Sequence, residues 1–106
     1  MATLSRIEQG MLAIDGRRIP LGYQQITSLS SATALTVPSN ARLAIINPEI
    51  EDVRWRDDGT SPTSSVGMII KENDYFFYTG SGTGDLSAIK FIEVASGAKI
   101  NVSYYR

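Results

Sequence analysis

The chain contains no cysteine and no histidine. The first absence excludes disulfides, thiol nucleophiles and thiolate zinc sites. The second removes every mechanism that needs imidazole as acid, base or ligand. There is no charge excess either. Ten basic residues face eleven acidic ones, a net charge of -1, which is no electrostatic footprint for nucleic acid. No apolar run approaches the ~20 residues of a membrane-crossing helix, and residues 1–10 do not have the pattern of a signal peptide. Lysines are few: Lys71, Lys90 and Lys99. None stands in a Ser-x-x-Lys arrangement, so a serine nucleophile has no evident base. Neither a metal nor a cofactor is expected.

What is present is a rhythm of short apolar runs. They are Arg18–Ile26, Thr33–Val37, Ala41–Asn47, Asp52–Arg56, Val66–Ile70, Tyr75–Tyr78, Ile89–Val94 and Lys99–Tyr105. Each is strand-sized and rich in β-branched or aromatic residues. Turn chemistry separates them, as in Pro38-Ser39-Asn40, Asp57-Asp58-Gly59 and Ala95-Ser96-Gly97. A length of 106 residues suits one small domain. The expectation is an all-β antiparallel β-sandwich of about eight short strands over residues 17–106, with the jelly roll as one form of it. Residues 1–16 read as a separate N-terminal segment, either a frayed terminus with an edge strand or an arm that adds to a neighbouring subunit.

Alternation orients the strands. Ile100, Val102 and Tyr104 share one face of the last run, and Lys99, Asn101, Ser103 and Tyr105 the other. Val53 and Trp55 alternate with Arg54 and Arg56 in the same way. This places Trp55 in the core and both arginines on the outer face. Leu43–Ile46 and Val66–Ile70 are nearly continuous. They read as central strands covered on both sides or as strands at a subunit contact. Two hairpins are predicted. One joins Met68–Ile70 to Tyr75–Tyr78 through Lys71–Asp74, and the other joins Ile89–Val94 to Lys99–Tyr105 through Ala95–Ala98. Helix signals are poor; single turns fit within Ile26–Ala34 and Asp85–Ala88.

Possible chemistry is sparse. Five carboxylates lie between Glu49 and Asp58. They lack the spacing of a calcium loop and read better as turn residues partly neutralised by Arg54 and Arg56. The segment Gly80-Ser81-Gly82-Thr83-Gly84 lacks the Lys-Ser/Thr of a phosphate cradle and reads as a loop. The candidate partner contacts are Arg54 and Arg56, whose guanidinium forks suit carboxylates. Tyr78, on a strand with rings on both faces, and Gly82 in the glycine-rich loop complete the set.

One stretch is more distinctive. Val53–Met68 reads V-R-W-R-D-D-G-x-x-P-T-x-x-x-G, followed by what is expected to be an apolar hairpin. Further on stand Leu86-Ser87-Ala88-Ile89-Lys90-Phe91-Ile92 and Ala95–Val102. Together these resemble a family of small all-β structural proteins of tailed bacteriophages and prophages, from about Ala34 onward. The resemblance implies a virion protein without catalytic activity, assembled in the host cytoplasm. Its expected role is capsid decoration or cement, binding the major capsid protein or other virion proteins as a homo-oligomer, with a trimer favoured. A tail, collar or baseplate component is the neighbouring alternative. A carbohydrate-binding host-adhesion sandwich is a third reading; it would require exposed aromatic rings on a sheet face.

Overall fold

The computed structural model describes residues 18–80 and 86–106. The arm expected at residues 1–16 and the candidate contact Gly82 lie outside the described residues. Eight strands follow in order: β1 (Pro20–Ile26), β2 (Thr33–Ala34), β3 (Leu43–Glu49), β4 (Val53–Arg56), β5 (Met68–Ile70), β6 (Phe76–Thr79), β7 (Lys90–Glu93) and β8 (Lys99–Tyr105). Each falls within or beside an expected run, and no helix occurs among the described residues. The strands form two four-stranded antiparallel sheets, ordered β1-β8-β3-β6 and β2-β7-β4-β5. The architecture is the expected all-β sandwich.

The pairing is nested. β1 pairs with β8, β2 with β7, β3 with β6 and β4 with β5. Two further pairings, β3 with β8 and β4 with β7, join these ladders into the two sheets. Among the described strands, only β4 and β5 are both consecutive and adjacent in a sheet; the other consecutive strands lie in different sheets. Both predicted hairpins are therefore corrected. β5 and β6 lie in different sheets, and so do β7 and β8. Packed sheets are about 10 Å apart, and four or five residues span that gap as readily as they reverse within a sheet.

Alternation decides which side chains meet between the sheets. Ile100, Val102 and Tyr104 of β8 are buried with Ala44 and Ile46 of β3, Val53 of β4, Ile70 of β5 and Phe91 of β7. Each such aliphatic side chain contributes about 1.5–3 kcal/mol by leaving water. The Tyr104 hydroxyl donates to the amide oxygen Oε1 of Gln24 on β1 at 2.7 Å, so its polar end is satisfied inside. β3 is covered on both faces, with Leu43, Ala44, Ile45 and Ile46 all buried, as a central strand requires. The other continuous run ends differently. β5 is an edge strand, and Val66, Met68 and Ile69 are exposed beside or within it.

The turns carry the special backbone. Ile50 follows β3 at a φ of 76°, with Glu51 N–H bonded back to the Glu49 carbonyl at 2.9 Å. This three-residue turn is strained for a β-branched residue. Asp52, just beyond it, accepts from the Glu72 N–H at 2.8 Å and from Lys71 Nζ at 3.1 Å. The turn after β3 is thereby tied to the connection that leaves β5.

Candidate functional site

The β4–β5 loop, residues 57–67, and the strands that flank it form the most elaborately fixed surface feature. Its residues are those of the V-R-W-R-D-D-G signature, and each has a physical task. Val53 is buried in the core. Arg54 points outward, in register between Ile69 and Ile92. Its guanidinium donates to the Gly67 carbonyl at 2.8 Å and to the Ser64 carbonyl at 3.2 Å. Arg54 therefore pins the far end of the loop onto its own strand. Arg56 forms a two-pronged pair with Asp58, one prong of which is Nε to Oδ1 at 3.0 Å. That fork is planar and directional. It holds the Asp58 carboxyl below the usual carboxylate range, and Asp58 in turn raises the Arg56 guanidinium.

The loop closes on small, shaped residues. Thr63 and Val66 exchange backbone hydrogen bonds, and Thr63 Oγ1 also accepts from the Val66 N–H at 3.0 Å. Pro62 is buried although its neighbours in the loop are exposed. Gly67 has a φ of 142°, and a Cβ there would lie 3.1 Å from the Trp55 carbonyl oxygen and 3.2 Å from both Arg54 Cβ and Pro62 Cβ. Only glycine fits that backbone and that space.

Trp55 points inward and is half-buried against the core. Its ring centroid is 5.0 Å from that of Phe76 and 6.1 Å from that of Tyr78. Both partners lie on β6, so the three rings bridge the two sheets where their edge strands β5 and β6 lie. Such tilted ring pairs contribute about 0.5–1.5 kcal/mol beyond their buried area. The Tyr78 hydroxyl donates to Asp57 Oδ2 at 2.8 Å, which anchors the near end of the loop. Beside this cluster opens a cleft of about 520 Å³ lined by Trp55, Arg56, Asp57, Asp58, Val66, Gly67 and Met68.

The structure thus brings Arg56 and Tyr78 to one place, at either side of Asp57-Asp58. Arg54 lies further back along the same strand, facing away from Trp55, with its donors committed to the loop's own carbonyls. The sequence reading takes Val66–Ile70 as a central strand or a strand at a subunit contact and does not include Val66 and Met68 among the candidate contacts, yet they supply the cleft with exposed apolar surface. The signal for them was Gly67, whose position between two apolar residues breaks the run and shortens the strand to Met68–Ile70. No cluster of three or more carboxylates that could hold a metal ion occurs among the described residues. The arrangement offers a fixed recognition surface, with an apolar rim beside paired charges. No family model matches the chain, and neither the curated proteins nor the solved structures supply a match.

Proposed function

We propose that the chain is a structural subunit of a tailed-phage virion that decorates the head and stabilises it by binding, with no catalytic step. The observation that carries this reading is the uncharged edge strand β5, flanked by a rigid loop. Val66, Met68 and Ile69 are 52%, 62% and 46% exposed. Edge strands are ordinarily blunted by charge or proline, and contiguous exposed apolar surface marks a contact. The residues of the stretch that resembles phage proteins are spent on holding that strip and its cleft in a fixed shape. A preformed surface loses less entropy on binding.

The nested strand order supports a finer reading of the fold. Pairing of each strand with its mirror in the chain, first with eighth through to fourth with fifth, is what results when one long hairpin is wrapped into two sheets. We read this as a jelly roll, an architecture used by viral capsid domains and by lectins alike. Fold alone does not choose between them. The virion assignment rests on the signature and the exposed edge. Copies on the head, as trimers or another closed homo-oligomer, would bridge capsid subunits and stabilise the assembled state by mass action.

The test is copy number per purified particle, by quantitative mass spectrometry. Hundreds of copies in simple ratio to the major capsid protein are expected. About a dozen or fewer would move the chain to the portal, collar or tail, on the rule that symmetry fixes stoichiometry. Absence from the particle overturns the reading. A Met68→Asp variant, altering an exposed side chain, is expected to fold and to lose its place on the particle.

A further inference from the structure

We propose that the outer face of the first sheet carries a separate site, a shallow trough that takes a single ring of a neutral sugar. This inference does not rest on the virion reading. The trough has a volume of about 240 Å³ and lies against β1, β3 and β8. That is below the 300–1,000 Å³ of ordinary drug-sized pockets, so its occupant is small.

Cross-strand register builds it. Tyr23, Ser103 and Ile45 stand in one row across β1, β8 and β3, and Gln25, Asn101 and Asn47 in the next. The central Ser103 is short, which leaves a hollow beside the Tyr23 ring. Tyr23 is 65% exposed, and Tyr75, which also lines the hollow, is 37% exposed. Two amphipathic rings flank a low floor.

The polar row is already locked. Asn101 Oδ1 accepts from Gln25 Nε2 at 2.9 Å and from the Tyr23 hydroxyl. Asn101 Nδ2 donates to Glu49 Oε2 at 2.7 Å and to Asn47 Oδ1 at 3.3 Å. Asn47 Nδ2 donates to the Asp74 carbonyl at 2.8 Å. Every amide here is oriented by a neighbour before any ligand arrives, which lowers the entropic cost of binding.

The chemistry selects the class of ligand. Among the described residues no cation lines the trough, and Glu49, one row on, already stands opposite Lys99 in the register, so an anionic group such as a phosphate would find no counter-charge in the hollow. A pyranose presents a C–H face that stacks on a tyrosine ring and hydroxyls that both donate and accept. Asn101 is saturated by its neighbours, but the tyrosine hydroxyls and the Asn47 amide, which makes one donation and one acceptance here, retain capacity that matches those needs.

The experiment is an amide NMR titration of the full chain with glucose, galactose and N-acetylglucosamine in turn. Saturable shifts clustered at Tyr23, Asn47, Asn101 and Ser103 are expected for at least one sugar, with a Kd of the order of 1 mM. Tyr23→Ala, a change at an exposed side chain, is expected to weaken binding about tenfold, as loss of one ring stack implies. Tyr75→Ala provides a second exposed variant with the same expected direction. The proposal is overturned by the absence of saturable shifts with all three sugars, by shifts that map to the Trp55 cleft, or by binding unchanged in both variants. Sugar-independent shifts of this face that grow with protein concentration would make it a contact between copies, and also overturn it. Neither result bears on copy number in the particle.

Discussion

Gly67 and Gly59 both sit in the β4–β5 loop at positive φ, 142° and 88°. Their surroundings differ. A Cβ at Gly59 meets nothing within 4 Å, whereas one at Gly67 presses on two backbone-proximal groups and a carbonyl. Gly59→Ala is therefore expected to cost about 1 kcal/mol, the backbone strain alone. Gly67→Ala adds steric conflict and is expected to cost about 2–3 kcal/mol. Denaturant unfolding of the two variants measures the difference. Equal costs would show that the space around Gly67 relaxes freely and that the loop is not held as described. Arg54 illustrates the same scale from the other side. Its side chain reads in the sequence as an outward charge awaiting a partner, and it is outward. Its donors nevertheless meet carbonyls ten and thirteen residues away. Strand alternation reveals a direction, but the loop path that brings Ser64 and Gly67 over the strand is not written in it.

At the level of elements, strand positions were legible because period-2 patterns and turn residues act locally. The eight runs became eight strands. β2 shrank to Thr33–Ala34 and β5 to Met68–Ile70, in the second case because Gly67 leaves extended geometry. Pairing was not legible, since β1 finds β8 across most of the chain, as Gln24 opposite Val102 shows. For the same reason Tyr23, Asn101 and Asn47 carried no sign that they share one face at one level. The connections do more than join strands. Asp52 after β3 clasps Glu72 N–H and Lys71 beyond β5, and these bonds, the backbone one foremost, hold its carboxyl below the usual carboxylate range. A depressed folded pKa means a contribution present above the unfolded value near 4 and lost as pH falls through the folded value. Asp52→Ala is expected to lower stability at pH 7 by about 1 kcal/mol, allowing for partial exposure. The gap from the parent chain should narrow below about pH 4. A gap that stayed constant down to acid would show that the carboxylate's charge has no part in the clasp.

For the molecule as a whole, β8 is the strand on which closure depends. It lies between β1 and β3, and its inner side chains meet residues of both sheets. Tyr104 stands at that junction, 1% exposed, with its hydroxyl on Gln24 of β1. Burial pushes its pKa up from 10.0 to about 12. A raised folded pKa means that the protonated side chain's contribution is whole below the unfolded value and is lost as pH rises towards the folded one. Between those limits the unfolded chain has released the proton and the folded chain has kept it. Stability then falls by up to about 1.4 kcal/mol per pH unit. Tyr104→Phe keeps the ring and removes the ionisable group. At neutral pH it is expected to cost about 1 kcal/mol for the lost hydrogen bond, since Gln24 Oε1 still accepts from the Thr36 N–H. Above pH 10 the order is expected to close and then reverse, with the variant losing stability less steeply than the parent chain. Urea unfolding at a series of pH values measures both slopes. Parallel slopes would mean that Tyr104 reaches solvent before the sandwich opens, and that β8 is not the seam at which the two sheets are held closed.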